Sequence, residues 1–171
     1  MNLSVLIPVA LDATNGSAWS VEDMLSVTDP MLTRITARLG EVPGIAGIAL
    51  GGSRARGTAS PTSDYDIGLY FGPGKPLDTD YLLNVVRDLV DNPSAAAITP
   101  VGAWGPRIVG GGWLSIGGRK VDLLYRGVEP VRVVISNCRA GQISMDYQPG
   151  HPHGFCSAIW ADGGIVPTKV T

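Results

Sequence analysis

The sequence has little charge, few aromatic residues and almost no cysteine. Of its 171 residues, 16% are charged and 6% aromatic, there are two cysteines, and the formal net charge is only −2. The charged fraction lies well below the roughly 25% typical of globular proteins, whereas disordered chains combine low hydrophobicity with high net charge. With 44% hydrophobic residues, the composition excludes intrinsic disorder. It also predicts a core large enough to fold without a disulfide or metal staple.

The sequence also has no excess of basic residues and no long hydrophobic run, and we expect no secretory leader. Because 13 Lys and Arg residues are balanced by 15 Asp and Glu residues, binding of long nucleic acid by bulk charge is not expected. The apolar residues 3–11, which favour a strand, are too short to cross a bilayer and lack the basic flank of a secretory signal. Cys138 and Cys156 have no CxxC spacing and are typical of free thiols in a reducing compartment. We therefore expect a cytoplasmic protein with no membrane partner.

Glycine and proline are abundant, with 23 and 13 residues, and indicate many tight turns. Between these turns, apolar periodicity predicts one α/β (α+β) domain over residues 1–171, with a small mixed sheet flanked by helices. The predicted helices cover about 30–39, 79–91 and 129–140, with a short helical turn at 53–57. The predicted strands cover 45–50, 64–71, 112–116 and 119–125. The segment 141–171 shows no strong periodicity and is predicted to be rich in loops.

Three acidic residues are placed where they could hold a metal ion. Asp64 and Asp66 alternate along one predicted strand, so their side chains point to the same face. Asp122 interrupts the apolar strand 121–124, and an acid in such a run marks a site more often than a buried core position. Mg²⁺ prefers oxygen ligands and is usually bound by carboxylates together with substrate phosphates. The pattern predicts a Mg²⁺ (or Mn²⁺) site of Asp64, Asp66 and Asp122, at which Asp122 could also accept a proton from an attacking hydroxyl.

A phosphate-binding turn is predicted directly after the strand 45–50. Gly52 would let a phosphate approach the backbone closely, and the amides and hydroxyl at Ser53 would donate hydrogen bonds to it. Arg54 and Arg56 follow and could add positive charge for a triphosphate or for pyrophosphate.

Each of these features also has an ordinary structural explanation. Gly-Ser after a strand is often only a turn, Asp64 could cap a helix, and Asp66 could be an exposed strand residue. His151 and His153 could bind a metal or form a surface turn, and Cys156 lies beside them. The four tryptophans at 19, 104, 113 and 160 are scattered, which is typical of packing rather than of a base-stacking surface. The joint order and spacing of the glycine turn and the three acids nevertheless favour a functional site.

The sequences LGGS at 50–53, DYDI at 64–67 and VDL at 121–123 together resemble the signature of the polymerase-beta-like nucleotidyltransferase superfamily. The resemblance covers about residues 45–125, and it is strongest to bacterial stand-alone members, such as antibiotic nucleotidyltransferases and the small antitoxin partners of HEPN toxins. It implies that Asp64 and Asp66 bind the metal and that Asp122 is the third carboxylate. It also implies that Gly52 and Ser53 contact the nucleotide phosphates.

The resemblance implies transfer of an NMP, with AMP expected, from an NTP to a hydroxyl of an unidentified acceptor, a small molecule or a partner protein. Family enzymes usually add a C-terminal helical region that holds the acceptor, and the sequence predicts none after about residue 140. A protein partner or a homo-oligomer is therefore expected to complete the site. The alternative is a nucleotide-binding or antitoxin-like interaction module that retains the fold with weak or no catalysis.

Overall fold

A four-stranded mixed sheet forms the centre of the computed structural model, which describes residues 29–148 and 151–162. Its strands are β1 (Ile45–Leu50), β2 (Tyr65–Phe71), β3 (Gly110–Ile116) and β4 (Arg119–Gly127). The spatial order is β1-β2-β4-β3. The central pair β2 and β4 is parallel, and each outer strand pairs with its neighbour in antiparallel orientation. The prediction of a small mixed sheet flanked by helices is confirmed.

Helices and a separate hairpin surround this sheet. The helices are α1 (Pro30–Leu39), α2 (Gly52–Ala55), α3 (Thr79–Leu89), α4 (Val128–Arg139) and α5 (Ala158–Asp162), with a 3₁₀ turn at Pro93–Ala95. The strands β5 (Met145–Gln148) and β6 (His151–Cys156) form a second, two-stranded antiparallel sheet. In the part of the chain that the structure describes, no helix is both long and apolar enough to span a membrane. The predicted strand at residues 3–11 lies outside the described residues.

The sheet separates two hydrophobic cores. On one face, α1 and α3 pack against the sheet and bury Ile67 and Leu123 completely or nearly so. On the other face, Tyr70 of β2 is buried with side chains of α4, β6 and α5. Because strand side chains alternate between faces, Asp66 and Gly68 share the face of Tyr70. The predicted acidic residues therefore lie on the face that the C-terminal elements cover only in part.

The C-terminal segment is more regular than the sequence predicts. The expectation of loops after residue 141 is wrong for the hairpin β5–β6 and for α5. Phe155 and Trp160 are each only 2% exposed, and their rings pack edge to face with centroids 5.0 Å apart. The Nε of Arg107 also donates to Asp146 Oδ2 at 2.6 Å and ties the hairpin to the chain before β3. Strand β6 has neither an apolar run nor a regular alternation of polar and apolar residues, and β5 has only four residues, so tertiary contacts decide their structure.

Helix α3 ends two residues earlier than the predicted limit at 91, because Asp91 has another role. Val90 has extended backbone angles, and the Asp91 carboxylate accepts hydrogen bonds from the N–H groups of Gly117 and Gly118 at 2.7 and 2.9 Å. It also accepts from the Ser115 hydroxyl at 2.7 Å. Asp91 thus fixes the turn between β3 and β4, which the sequence correctly places at Gly117-Gly118.

Asp29 caps the start of α1 and also connects this helix to the sheet. Its Oδ1 accepts from the N–H groups of Met31 and Leu32 at 3.0 and 3.2 Å, and its Oδ2 accepts from the Tyr65 hydroxyl at 2.5 Å. Asp29→Ala removes a cap and a tertiary hydrogen bond, so we expect it to lower the free energy of unfolding by about 2 kcal/mol in urea denaturation.

The matched control for this expectation is Asp78→Ala at the start of α3. The Asp78 carboxylate accepts from Tyr81 N–H at 2.8 Å at an exposed position, so its loss should cost about 1 kcal/mol, as for an ordinary cap. Equal losses for the two variants would contradict a stabilising bond between Asp29 and Tyr65.

Candidate active site

The turn after β1 presses the backbone against the carboxylate of Asp66. Gly51 N–H donates to the backbone carbonyl of Asp66 at 2.7 Å. Gly52 has a φ of +63°, and a Cβ atom at this position would lie 1.9 Å from Asp66 Oδ2. A side chain at Gly52 is therefore excluded by both backbone conformation and space. The predicted glycine turn and the predicted acidic strand are one local unit.

Parallel pairing of β2 and β4 brings the other predicted acid to the same place. Asp66 and Asp122 are direct partners in the register of these strands, which lie about 4.8 Å apart in a sheet. Both side chains are half-buried, whereas Asp64, just before β2, is exposed. All three predicted carboxylates thus lie at one end of the two central strands.

The three carboxylates interact electrostatically. Burial, together with the negative charges of Asp66 and Asp64, raises the pKa of Asp122 to about 6, while Lys120 acts in the opposite direction. Burial and the charge of Asp64 also raise the pKa of Asp66, although Arg126 and Arg56 oppose the shift. Raised pKa values mean that negative charge is not fully compensated at this end of the sheet.

This donor set fits a divalent cation in its chemistry. Carboxylate oxygens are the ligands that Mg²⁺ prefers, and a bound cation would relieve the repulsion that raises the pKa of Asp66 and Asp122. Among the residues that the structure describes, no group of three or more Asp, Glu, His or Cys side chains is already arranged to hold a metal ion. The carboxylates are therefore neighbours without forming a ready-made coordination sphere.

Arg54 supports the backbone next to Asp64. Its Nε donates to the carbonyl of Asp64 at 3.2 Å, and its Nη2 donates to the carbonyl of Ser63 at 2.7 Å. Its guanidinium carbon lies 3.7 Å from the centre of the Tyr65 ring, a cation–π contact. The structure thus shows Arg54 positioning the start of β2, whereas its predicted contact with phosphate stays a prediction.

Ser53 and Arg56 lie where a phosphate could reach them. Ser53 is half-buried in α2, and its carbonyl accepts from Thr58 N–H at 3.0 Å. Arg56 is exposed at the end of α2, and its charge lowers the pKa of Asp66. The predicted contacts of Gly52, Ser53 and Arg56 with a nucleotide also stay predictions.

A cleft of about 640 Å³ opens beside the carboxylates. Asp64, Asp122 and Lys120 line it on the sheet side, and Trp113 of β3 lies among them. The opposite side consists of the segment after α3, including Val90, Asn92 and Ala96. The cleft therefore continues from the acidic end of the sheet across β3 to the sheet edge.

The sequence interpretation missed two residues of this region. Trp113 is the register partner of Asp122 and is 62% exposed. The two-residue turn at Gly117-Gly118 could have revealed this pairing, because loop length fixes hairpin register. Arg126 lies on the face of Asp66 and donates from Nη1 to the Tyr70 hydroxyl at 2.9 Å. No sequence signal distinguishes it from a solvated arginine.

Comparison with known families shows which proteins this chain is similar to. Residues 32–96 match the model of the nucleotidyltransferase domain family. This segment, 65 of the 171 residues, is similar to a nucleotidyltransferase domain. This finding confirms the resemblance that the motifs indicate, and the matched segment includes the glycine turn, Asp64 and Asp66. It ends before Asp122, which the register of β2 and β4 places beside Asp66. No curated protein and no solved structure was found to match the chain.

Neither cysteine is among the residues that line the cleft. Cys138 and Cys156 are half-buried and are not bonded to each other, and the Cys138 thiol donates to the Ser157 hydroxyl at 3.3 Å. The side chains of His151 and His153 lie outside the described residues, so a metal-binding role for them stays untested.

The raised pKa of Asp122 predicts how the stability of the metal-free protein depends on pH. The unfolded carboxyl loses its proton near 3.8 and the folded one near 6, so the folded state binds more protons between these values. Stability contributed by the protonated carboxyl is therefore lost as pH rises through this window. In EDTA, Asp122→Asn should raise the Tm relative to wild type more at pH 7.5 than at pH 4.5.

We expect this extra gain to be about 2–4 °C, which corresponds to about 1 kcal/mol for a half-exposed group after solvent screening. Asp29 and Asp91 have lowered pKa values and act in the opposite direction. The difference between variant and wild type removes their contribution. A gain that does not change with pH would contradict the electrostatic coupling of the carboxylates.

Proposed function

We propose that this nucleotidyltransferase domain transfers an NMP, with AMP as the expected group, from an NTP to a hydroxyl of a small molecule or a partner protein. The observation that carries the proposal is the pairing of Asp66 with Asp122 on adjacent parallel strands, beside the glycine turn and at an open cleft. Bound Mg²⁺ or Mn²⁺ would neutralise charge on the triphosphate, and Asp64, Asp66 and Asp122 are the residues that would hold it.

Residues of the chain would bind the phosphate and accept the proton. The backbone at Gly52 and Ser53 would receive a phosphate group, since no side chain at Gly52 blocks its approach. Asp122 would accept the proton of the acceptor hydroxyl, whose oxygen attacks the α-phosphorus while the bond to the leaving pyrophosphate breaks. In the metal-free protein the pKa of Asp122 is about 6, so this carboxyl is ionised at neutral pH, and a bound cation would favour the ionised form further, as a general base requires.

A second candidate function is a nucleotide-binding interaction module without catalysis. Large apolar side chains are exposed on α4, on α5 and around the hairpin, which favours a protein partner. These are Val133, Ile143, Met145, Tyr147 and Ile159, which are 52–75% exposed. The two functions differ in whether a bound NTP is consumed.

Release of labelled pyrophosphate tests the enzymatic proposal. The protein is incubated with Mg²⁺ or Mn²⁺, each of the four NTPs and a panel of hydroxyl acceptors. We expect metal-dependent release that Asp122→Asn lowers by about 10²–10⁴-fold, as for loss of a general base. Asp66→Asn should lower it at least as much.

Asp80→Asn serves as the matched control, because it makes the same change at an exposed position in the first turn of α3. Wild-type protein that binds NTP without releasing pyrophosphate would favour the interaction module. Release that is equally strong in all three variants would refute the assigned carboxylates.

Gly52→Ala should abolish most of the activity through Asp66. The added methyl group would overlap the position of Asp66 Oδ2 and displace the carboxylate, and misplacement by about 1 Å can cost about 100-fold in rate. Gly57→Ala is a close control, since Gly57 has a φ of +68° and nothing lies within 4 Å of its added Cβ.

Both alanine variants bear the same backbone strain of about 1–2 kcal/mol, and Gly52→Ala adds the overlap with Asp66 Oδ2, so urea denaturation should give the larger loss of stability for Gly52→Ala. Only Gly52→Ala should lose pyrophosphate release. Equal activity of the two variants would show that the contact between Gly52 and Asp66 has no role in the reaction.

A further inference from the structure

Trp113 is an exposed aromatic residue inside the cleft. It is 62% exposed, although a tryptophan usually buries much of its large apolar surface. As the register partner of Asp122, it lies on the same face of the sheet as that carboxylate. A large apolar ring is thus offered to solvent immediately beside the candidate general base.

The ring of Trp113 is held in place by a second tryptophan. Trp104 stacks on it with centroids 4.7 Å apart and an angle of 23° between the planes. A Cβ atom on Gly111 would lie 2.9 Å from Cη2 of Trp104, so glycine at this position leaves the room that Trp104 needs. Support by Trp104 makes Trp113 a flat surface already fixed in one orientation.

The position of Trp113 relates it to the acceptor rather than to the triphosphate. Across the sheet, the order is the Gly52 turn after β1, Asp66 on β2, Asp122 on β4 and Trp113 on β3. The phosphate-binding turn and Trp113 therefore lie on opposite sides of the carboxylate pair. A group bound on Trp113 is adjacent to Asp122, where the acceptor hydroxyl must lose its proton.

Charge limits the kind of molecule that can bind there. The ionisable side chains lining the cleft are Asp64, Asp91 and Asp122 against one cation, Lys120. In the metal-free protein, this excess of negative charge disfavours a ligand that carries phosphate or carboxylate groups near the ring.

We propose that Trp113 binds a flat aromatic ring of the acceptor, which is a neutral or cationic hydroxyl compound stacked on Trp113 with its hydroxyl toward Asp122. That the bound molecule is the acceptor rests on the proposed function. The ring-binding site itself rests on Trp113, Trp104 and the cleft. Stacking of a ring on one aromatic side chain contributes enough binding free energy that removal of the side chain weakens binding about 10-fold.

Calorimetric titration without NTP tests the ring site directly. Adenosine, AMP and ribose serve as probes, because AMP adds only a phosphate to adenosine and ribose lacks the ring. We expect adenosine to bind more tightly than AMP, and ribose to bind more weakly than both. Trp113→Ala should weaken adenosine binding about 10-fold, whereas Trp113→Phe should recover most of it.

Tyr147→Ala is the control, since Tyr147 is an aromatic residue that is 75% exposed on the hairpin outside the cleft. The proposal fails if Trp113→Ala leaves adenosine binding unchanged, or if Tyr147→Ala weakens it equally. It also fails if AMP binds as tightly as adenosine. Thermal melting of Trp113→Phe shows whether the fold is retained in the variant used for rescue.

A parallel measurement with NTP separates this inference from the proposed function. We expect Trp113→Ala to leave NTP affinity unchanged and to raise the acceptor KM about 10-fold. Weaker NTP binding with an unchanged acceptor KM would place the donor base on Trp113 and would overturn the proposal. If wild-type protein releases no pyrophosphate but binds adenosine through Trp113, the proposed function fails and the ring site stands.

Discussion

The structure depends on the pairing of two like charges in the middle of a sheet. Asp66 and Asp122 are partners on adjacent strands, both half-buried, and like charges in direct opposition destabilise a sheet. Burial raises the pKa of each carboxyl, and the negative charge of Asp64 adds to the shift of both. A fold that keeps such a pair gives up stability at that point, and a cation with its bound phosphates is the partner that would restore it.

The surrounding residues hold these carboxylates in place instead of neutralising them. Gly52 lies against the Asp66 side chain, and Arg54 binds the carbonyls of Ser63 and Asp64. Arg126 is engaged with the Tyr70 hydroxyl on the same face. Arg54 and Arg126 thus fix backbone and ring positions, while no ion pair to Asp64, Asp66 or Asp122 occurs among the described residues. The carboxylate oxygens remain available for a ligand.

The cleft extends this arrangement to the edge of the sheet. Strand β3 contributes Trp113, on which Trp104 stacks from the segment before β3, and the segment after α3 forms the opposite side. Three consecutive glycines at 110–112 allow this segment to approach, because a Cβ on Gly110 or Gly112 would lie 2.7 Å from the carbonyl of Pro100 or Ala97.

The sequence by itself determined the elements with strong local signals. Asp29 and Pro30 begin α1 through a cap that is local in the chain, the alternation of residues 64–71 marks β2, and Gly117-Gly118 closes the β3–β4 hairpin. It also indicated Asp64, Asp66 and Asp122, because acids in or beside apolar strands are unusual. Only the tertiary structure decided that β2 and β4 are parallel neighbours, that Arg54 supports the backbone, and that residues 145–162 form a hairpin and a helix. These features depend on contacts between distant segments, and such contacts leave no periodic pattern in either segment alone.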